Sequence, residues 1–206
     1  MPLLINDIGP QEVRGSVWEM SPQDPHDQMI QGLSGAARSF VAAPAHPQRQ
    51  REKLYARHAV RYLGLPENYG YSAEGKPLLP DGHLSISHSK SFVAVASSAV
   101  PLGMDLQVME EKINRIAHKF VGSEAQWLNE KELVCLHNAI WTCKEAMYKL
   151  DGKRGLDFKA HLHVEQIVPF QNQCIRGLML AGGQEQTVDI HLEFHQRFIL
   201  AFAFYG

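Results

Sequence analysis

Two short apolar runs, SFVAVASS at residues 91–98 and RFILAFAF at 197–204, constrain this chain more than any other feature. Both open on a polar residue and an aromatic one, then continue apolar, as a strand buried along its length does. Each run closes its half of the sequence after a helix-like segment and a preceding strand. That order predicts an α+β fold of two similar, pseudo-symmetric halves, each a small antiparallel sheet packed with helices, over residues 1–101 and 102–206. With 45% hydrophobic and 20% charged content, the 206 residues supply enough apolar surface for such cores.

Local patterns fill in the halves. An early strand is expected over Val13–Trp18. HPQRQREKLYARHAVRYLG then reads as a helix, with Pro47 in its first turn and Gly64 and Pro66 stopping it. Leu54, Tyr55, Ala59, Tyr62 and Leu63 form its apolar stripe. Arg49, Arg51, Lys53, Arg57 and Arg61 load the remainder with positive charge, either a solvated face or a site for an anion. LSISHSKSFVAVASS predicts a hairpin of strands 84–87 and 92–97 with His88 in the bend. KINRIAHKF has helical spacing, SEAQWL restarts behind Ser123 as N-cap, and HNAIWTCKEAMYKL forms a helix closed by Gly152. Strands follow near Cys174–Leu180, in TVDIHLEF and in RFILAFAFY, with a turn at Gly182 and Gly183.

Several function classes are disfavoured. A formal net charge of -2 argues against bulk nucleic-acid binding. Cys135, Cys143 and Cys174 are odd in number and lack C-x-x-C pairing, so neither a disulfide framework nor a thiolate zinc site is expected. His161 and His163 alternate in HLHV, but no third ligand follows at a diagnostic spacing. No segment reaches the ~18 uninterrupted apolar residues of a membrane span, so a cytoplasmic protein without membrane association is expected.

One residue resists the apolar pattern. In PLGMDLQ (101–107) the carboxylate of Asp105 lies between Met104 and Leu106, where a buried strand would place apolar side chains, so something positive must meet it or it must point outward. In the 137–150 helix, Ala139, Ile140, Cys143, Ala146, Met147 and Leu150 make the apolar face. Glu145 lies nearly opposite, with Lys149 four residues on. A surface Glu145–Lys149 pair is one reading, adding only about 0.2–0.5 kcal/mol. The other is a hard-cation site, in which Asp105 and Glu145 hold Mg²⁺ while Lys144 and Lys149 meet phosphate.

Taken in order, GKP (75–77), SISHS (85–89), GMDLQ (103–107), KFVGSEAQWL (119–128) and IWTCKEAMYKLDGKRGLDF (140–158) resemble the 4'-phosphopantetheinyl transferases, of the type that activates surfactin synthetase. A G-x-D strand followed some forty residues later by W-x-x-K-E-A-x-x-K-x-x-G carries the likeness. The resemblance implies an enzyme that moves the phosphopantetheine arm of coenzyme A to a serine of an acyl or peptidyl carrier protein, with adenosine 3',5'-bisphosphate released. It implies Mg²⁺ on Asp105 and Glu145, Lys149 and Lys144 on phosphate oxygens, and His88, Ser87, Lys76 and Pro77 around the nucleotide. Arg51, or failing it Arg57, would meet the 3'-phosphate. Either Glu145 or, in support, Glu124 would serve as base.

The same likeness implies a monomer with the coenzyme A cleft between its halves. Many members carry Glu as a third metal ligand where Gln107 stands, and the amide leaves the site one negative charge short. Lys112, Arg115 and Lys119 recur at helical spacing beside Ile113, Ile116 and Phe120. They form a candidate docking face for an acidic carrier helix. The rival readings are a catalytically silent coenzyme A or carrier binder and a Mg²⁺-dependent pyrophosphate hydrolase.

Overall fold

The computed structural model describes residues 3–10, 12–43 and 46–206. The chain divides into two compact units, residues 1–99 and 100–206. In the first, β1 (Leu3–Asn6) and β2 (Arg14–Glu19) precede three helices, α1 (His26–Gln31), α2 (Gly35–Ala42) and α3 (Pro47–Tyr62). Then come β3 (Gly70–Tyr71), β4 (Pro77–Leu78), β5 (His83–Ser89) and β6 (Phe92–Ser98). The six strands form one antiparallel sheet in the order β1-β2-β6-β5-β4-β3.

The second unit runs β7 (Gly103–Gln107), three 3₁₀ segments (Glu111–Lys119, Ser123–Trp127, Glu130–Glu132), then α4 (Leu133–Asp151). It ends in β8 (Leu162–Val164), β9 (Gln173–Ala181), β10 (Gln184–Phe194) and β11 (Ile199–Tyr205), an antiparallel sheet in the order β7-β11-β10-β9-β8.

The long helices begin and stop where the sequence predicts. Pro47 opens α3 behind His46, whose ring nitrogen accepts from the Gln48 amide, and Gly64, at φ +73°, ends it. Leu54, Tyr55, Ala59 and Val60 of α3 are buried against Trp18, Val93 and Val95 of the sheet. Gly152, at φ +70°, closes α4. Ala139, Ile140, Cys143, Ala146, Met147 and Leu150 of that helix are all at most 1% exposed, so its predicted apolar face is the core of the second unit. Each large side chain so buried contributes about 1.5–3 kcal/mol.

Two contacts fix α4 against the start of its sheet. A Cβ on Gly103 would fall on the Ala146 carbonyl oxygen and the Leu150 amide, so only glycine lets α4 lie this close to β7. Asn138 clasps the strand exit by accepting from the Glu110 amide at 3.2 Å and donating to the Glu110 carbonyl at 3.1 Å.

The structure corrects several local expectations. His88 lies in β5, paired with Val93, and the turn falls instead at Lys90 (φ +55°) and Ser91. The segments at 111–119 and 123–127 are 3₁₀ rather than α, and Ser123 is no N-cap, since its hydroxyl pairs with the His163 ring. Apolar residues three apart, such as Ile113 and Ile116, suit a three-residue turn as well as an α-turn. Tyr62, assigned to the apolar stripe of α3, is 49% exposed.

Candidate active site

Asp105 answers to a lysine. On β7, opposite Ala201, it is buried, and Lys149 of α4 donates to its Oδ1 at 2.7 Å and to the Met104 carbonyl at 3.2 Å. Lys149 is therefore ion-paired across to the strand. Glu145 stands one turn before Lys149 and feels both groups. Burial pushes its carboxyl up to about 7, Asp105 pushes it the same way, and Lys149 draws it back. The W-x-x-K-E helix and the G-x-D strand thus bring two carboxylates and one ammonium to one place.

This pair suits a hard divalent cation. Mg²⁺ takes one or two protein carboxylates and fills its remaining positions with water and phosphate oxygens. A buried Asp105 and a partly buried Glu145, with Lys149 beside them, leave charge for such an ion to neutralise. Among the described residues no group of three His, Cys, Asp or Glu side chains gathers. Gln107 lies two residues from Asp105, hence on the same strand face, and its amide nitrogen donates to the Val108 carbonyl at 3.0 Å.

Lys144 faces the other way, which corrects its assignment to phosphate. Its side chain is 0% exposed, and its ammonium donates to the Phe120 carbonyl (2.7 Å), the Phe158 carbonyl (2.9 Å) and Glu124 Oε1 (2.8 Å). All three N–H groups are thereby spent. Glu124, also 0% exposed, accepts in turn from the amides of Gly122 (2.8 Å) and Val164 (3.1 Å). The pair is a fully satisfied internal strut, and Glu124 is in no position to act as base.

In the first unit, a cavity of about 340 Å³ is bounded by Arg49, Lys53, Tyr71, Pro77 and His88, with Glu52, Ala56, Gly75 and Ile86. His88 Nε2 lies 3.3 Å from Glu52 Oε2. Lys53 sits 3.9 Å over the Phe40 ring, which stacks on Tyr71 with centroids 5.3 Å apart. Partial burial, then Arg57 and Arg49, lower the proton affinity of Lys53.

Of the residues expected around a nucleotide, the cavity therefore gathers Pro77 and His88. Ser87 is buried and, as the neighbour of His88 on a strand, points to the opposite face. Lys76 and Arg51 do not line the cavity, and Arg51 Nε is buried without a hydrogen-bond partner. Arg57 is 1% exposed; it donates to the carbonyls of Glu67 and Tyr69 and packs between the Phe40 and Tyr69 rings, which removes it as an anion ligand. Arg49 and Lys53 line the cavity instead. Their i, i+4 spacing with Ala56 three further on was the sequence signal for a shared face.

Lys112, Arg115 and Lys119 are exposed on their 3₁₀ segment, where Lys112 pairs with Glu110 at 2.7 Å. A three-residue turn aligns Lys112 and Arg115 with His118 and sets Lys119 one step round, so the row differs from the expected one. The ring nitrogens of His161 and His163 are engaged locally, by the Asp157 amide and by Ser123 and Ala160.

No protein-family model matches the chain. It is 34% identical over 110 residues to the 4'-phosphopantetheinyl transferase gsp of Aneurinibacillus migulanus, covering 50% of this chain and 46% of that protein. It is 30% identical over 142 residues to a 4'-phosphopantetheinyl transferase of Bacillus subtilis, covering 62% and 63%. With the 4'-phosphopantetheinyl transferase Sfp of Bacillus subtilis (strain 168) it shares 32% over 101 residues, 43% of this chain and 45% of the other. The chain thus spans between about half and two thirds of the length of these curated relatives. By sequence, the chain is similar to several proteins named 4'-phosphopantetheinyl transferase, Sfp among them.

Proposed function

We propose that the chain transfers the 4'-phosphopantetheine group of coenzyme A to a serine of an acyl or peptidyl carrier protein. The observation that carries this reading is the meeting of Asp105, Glu145 and Lys149 where α4 crosses β7. In the reaction, the serine oxygen bonds to the phosphorus bearing pantetheine, the pyrophosphate P–O bond breaks, and adenosine 3',5'-bisphosphate leaves. Such displacements rely on positioning and charge neutralisation.

Asp105 and Glu145 are the residues that would hold Mg²⁺, which when bound neutralises pyrophosphate charge. Lys149 supplies an ammonium for oxygens that gain charge as the nucleotide departs. Glu145 takes the serine proton, since Glu124, the other candidate, is locked to Lys144. The cavity of Arg49, Lys53, Pro77 and His88 offers cations and a stacked Tyr71 suited to a phosphorylated nucleotide. The exposed Lys112 and Arg115 suit an acidic carrier helix.

The test is incubation of the protein with coenzyme A, Mg²⁺ and an apo carrier protein, followed by mass measurement of the carrier and detection of the nucleotide. Carrier gain with nucleotide release is the expected result. Nucleotide release without carrier gain would mark a hydrolase, and coenzyme A binding with neither product a silent binder.

A further inference from the structure

We propose that Lys149 is the resident counter-ion of Asp105 and competes with a divalent cation for that carboxylate, so that cation binding and release of the lysine form one exchange. The inference rests on the reading of Asp105 as a cation ligand. It begins from burial. The Asp105 side chain is 8% exposed, and Lys149, 27% exposed, reaches it along the surface of α4. An ammonium 2.7 Å from Oδ1, with a second proton on the Met104 carbonyl, already neutralises the carboxylate that an incoming cation would need.

The backbone enforces this arrangement. Because Gly103 admits α4 directly against β7, Lys149 emerges beside Asp105 with little freedom to stand off, and Gly152 ends the helix three residues later. Two positive charges bonded to one carboxylate in a half-buried site repel strongly. The lysine therefore leaves when the cation arrives, and its free ammonium is then available to a phosphate. Gln107 sharpens the competition, because a neutral amide in place of a third carboxylate leaves no surplus negative charge to hold both cations. Lys149 thus sets cation affinity through its contact with Asp105, and meeting phosphate requires that contact to open.

The experiment is direct Mn²⁺ binding, followed by the electron spin resonance of free Mn²⁺ without coenzyme A, on wild type, Lys149→Gln, Lys149→Arg and Asp105→Asn. Lys149→Gln should bind Mn²⁺ about tenfold more tightly than wild type. Lys149→Arg, which keeps the charge, should stay within about twofold, and Asp105→Asn should lose the site. Equal or weaker binding by Lys149→Gln, or none at all, with Asp105→Asn impaired, overturns the competition and leaves the cation reading standing. Unchanged binding by Asp105→Asn sinks the cation reading, and the competition with it.

A measurement on the unaltered protein guards against misfolded variants. The ¹⁵N ammonium resonance of Lys149 should shift as Mg²⁺ is added. A resonance unmoved at saturating Mg²⁺ overturns the proposal.

Discussion

Arg57 on α3 and Lys144 on α4 are the fully buried lysine or arginine side chains among the described residues, one in each unit, and each donates to two backbone carbonyls. Their compensation differs. Arg57 lies 3.6 Å from the centroid of Tyr69 and 4.3 Å from that of Phe40, so aromatic faces answer its charge. Lys144 is answered by the carboxylate of Glu124, itself held by two amides. A guanidinium is weakly hydrated and flat enough to stack; a compact ammonium loses more on leaving water and needs a full counter-charge.

The comparison extends to the sheets. β2-β6-β5-β4-β3 and β7-β11-β10-β9-β8 have the same order, with the helices inserted after the first strand of each series. When SFVAVASS and RFILAFAF are aligned residue by residue, Val95 falls on Ala201 and Val93 on Ile199. Through the ladders, Ser16 then matches Asp105, and Trp18 matches Gln107. In the first unit Ser16 accepts from the Trp18 indole at 2.9 Å, a neutral pair closed on itself. In the second, the same position carries a charge that must be met from the helix. The shared ladder is scaffold, and chemistry enters through what its helix-facing positions hold.

Breaking the Lys144 strut should have the largest effect. Lys144→Met strands a buried carboxylate and should cost about 3–5 kcal/mol in urea unfolding, while adding Glu124→Leu should recover much of the loss. A single variant as stable as wild type would show that Glu124 finds another partner. Next, Gly103→Ala drives a Cβ into the backbone of α4 and should cost about 1–3 kcal/mol or more. Gly15→Ala should cost less, because its new Cβ meets the Ile8 side chain at 2.6 Å, a group that can rotate. Equal melting points for the two would deny that the α4 backbone yields less than the Ile8 side chain.

Arg57→Met strands no carboxylate but leaves the Glu67 and Tyr69 carbonyls short of a donor, so about 1–3 kcal/mol is expected in the same unfolding assay. A loss matching that of Lys144→Met would erase the distinction between aromatic and ionic compensation. Gln107→Glu, at the position where the other unit has Trp18, should lower the Mg²⁺ concentration needed for half-maximal transfer by a few-fold. A Mg²⁺ titration that does not move would place Gln107 away from the metal. Smallest of all, Arg115→Glu should raise the carrier KM by roughly two- to fivefold without altering coenzyme A binding, an effect that fades with added salt.

Much of this was legible in advance. Helical period gave α3 and α4, with Pro47, Gly64 and Gly152 marking their ends. Alternation and the Gly182-Gly183 turn gave β9 to β11. β1, β3 and β4 were not foreseen, because strands of two to four residues carry almost no period. The 3₁₀ character of 111–119 was hidden by spacings common to both helix types.

By itself the sequence determined that an α+β chain would place a carboxylate in an apolar strand and a lysine-rich motif on a later helix, so that a buried charge would need a cation. Only the tertiary structure decided which cation. Period assigns a side chain to a face of its own helix but does not say what that face meets. Gly103 brought α4 onto β7 and gave Lys149 to Asp105. The turns at 120 and 158 drew Lys144 inward, and Phe40 and Tyr69 enclosed Arg57. Contacts between residues a dozen or more positions apart arise from packing, where burial of one polar group selects the partner that satisfies it.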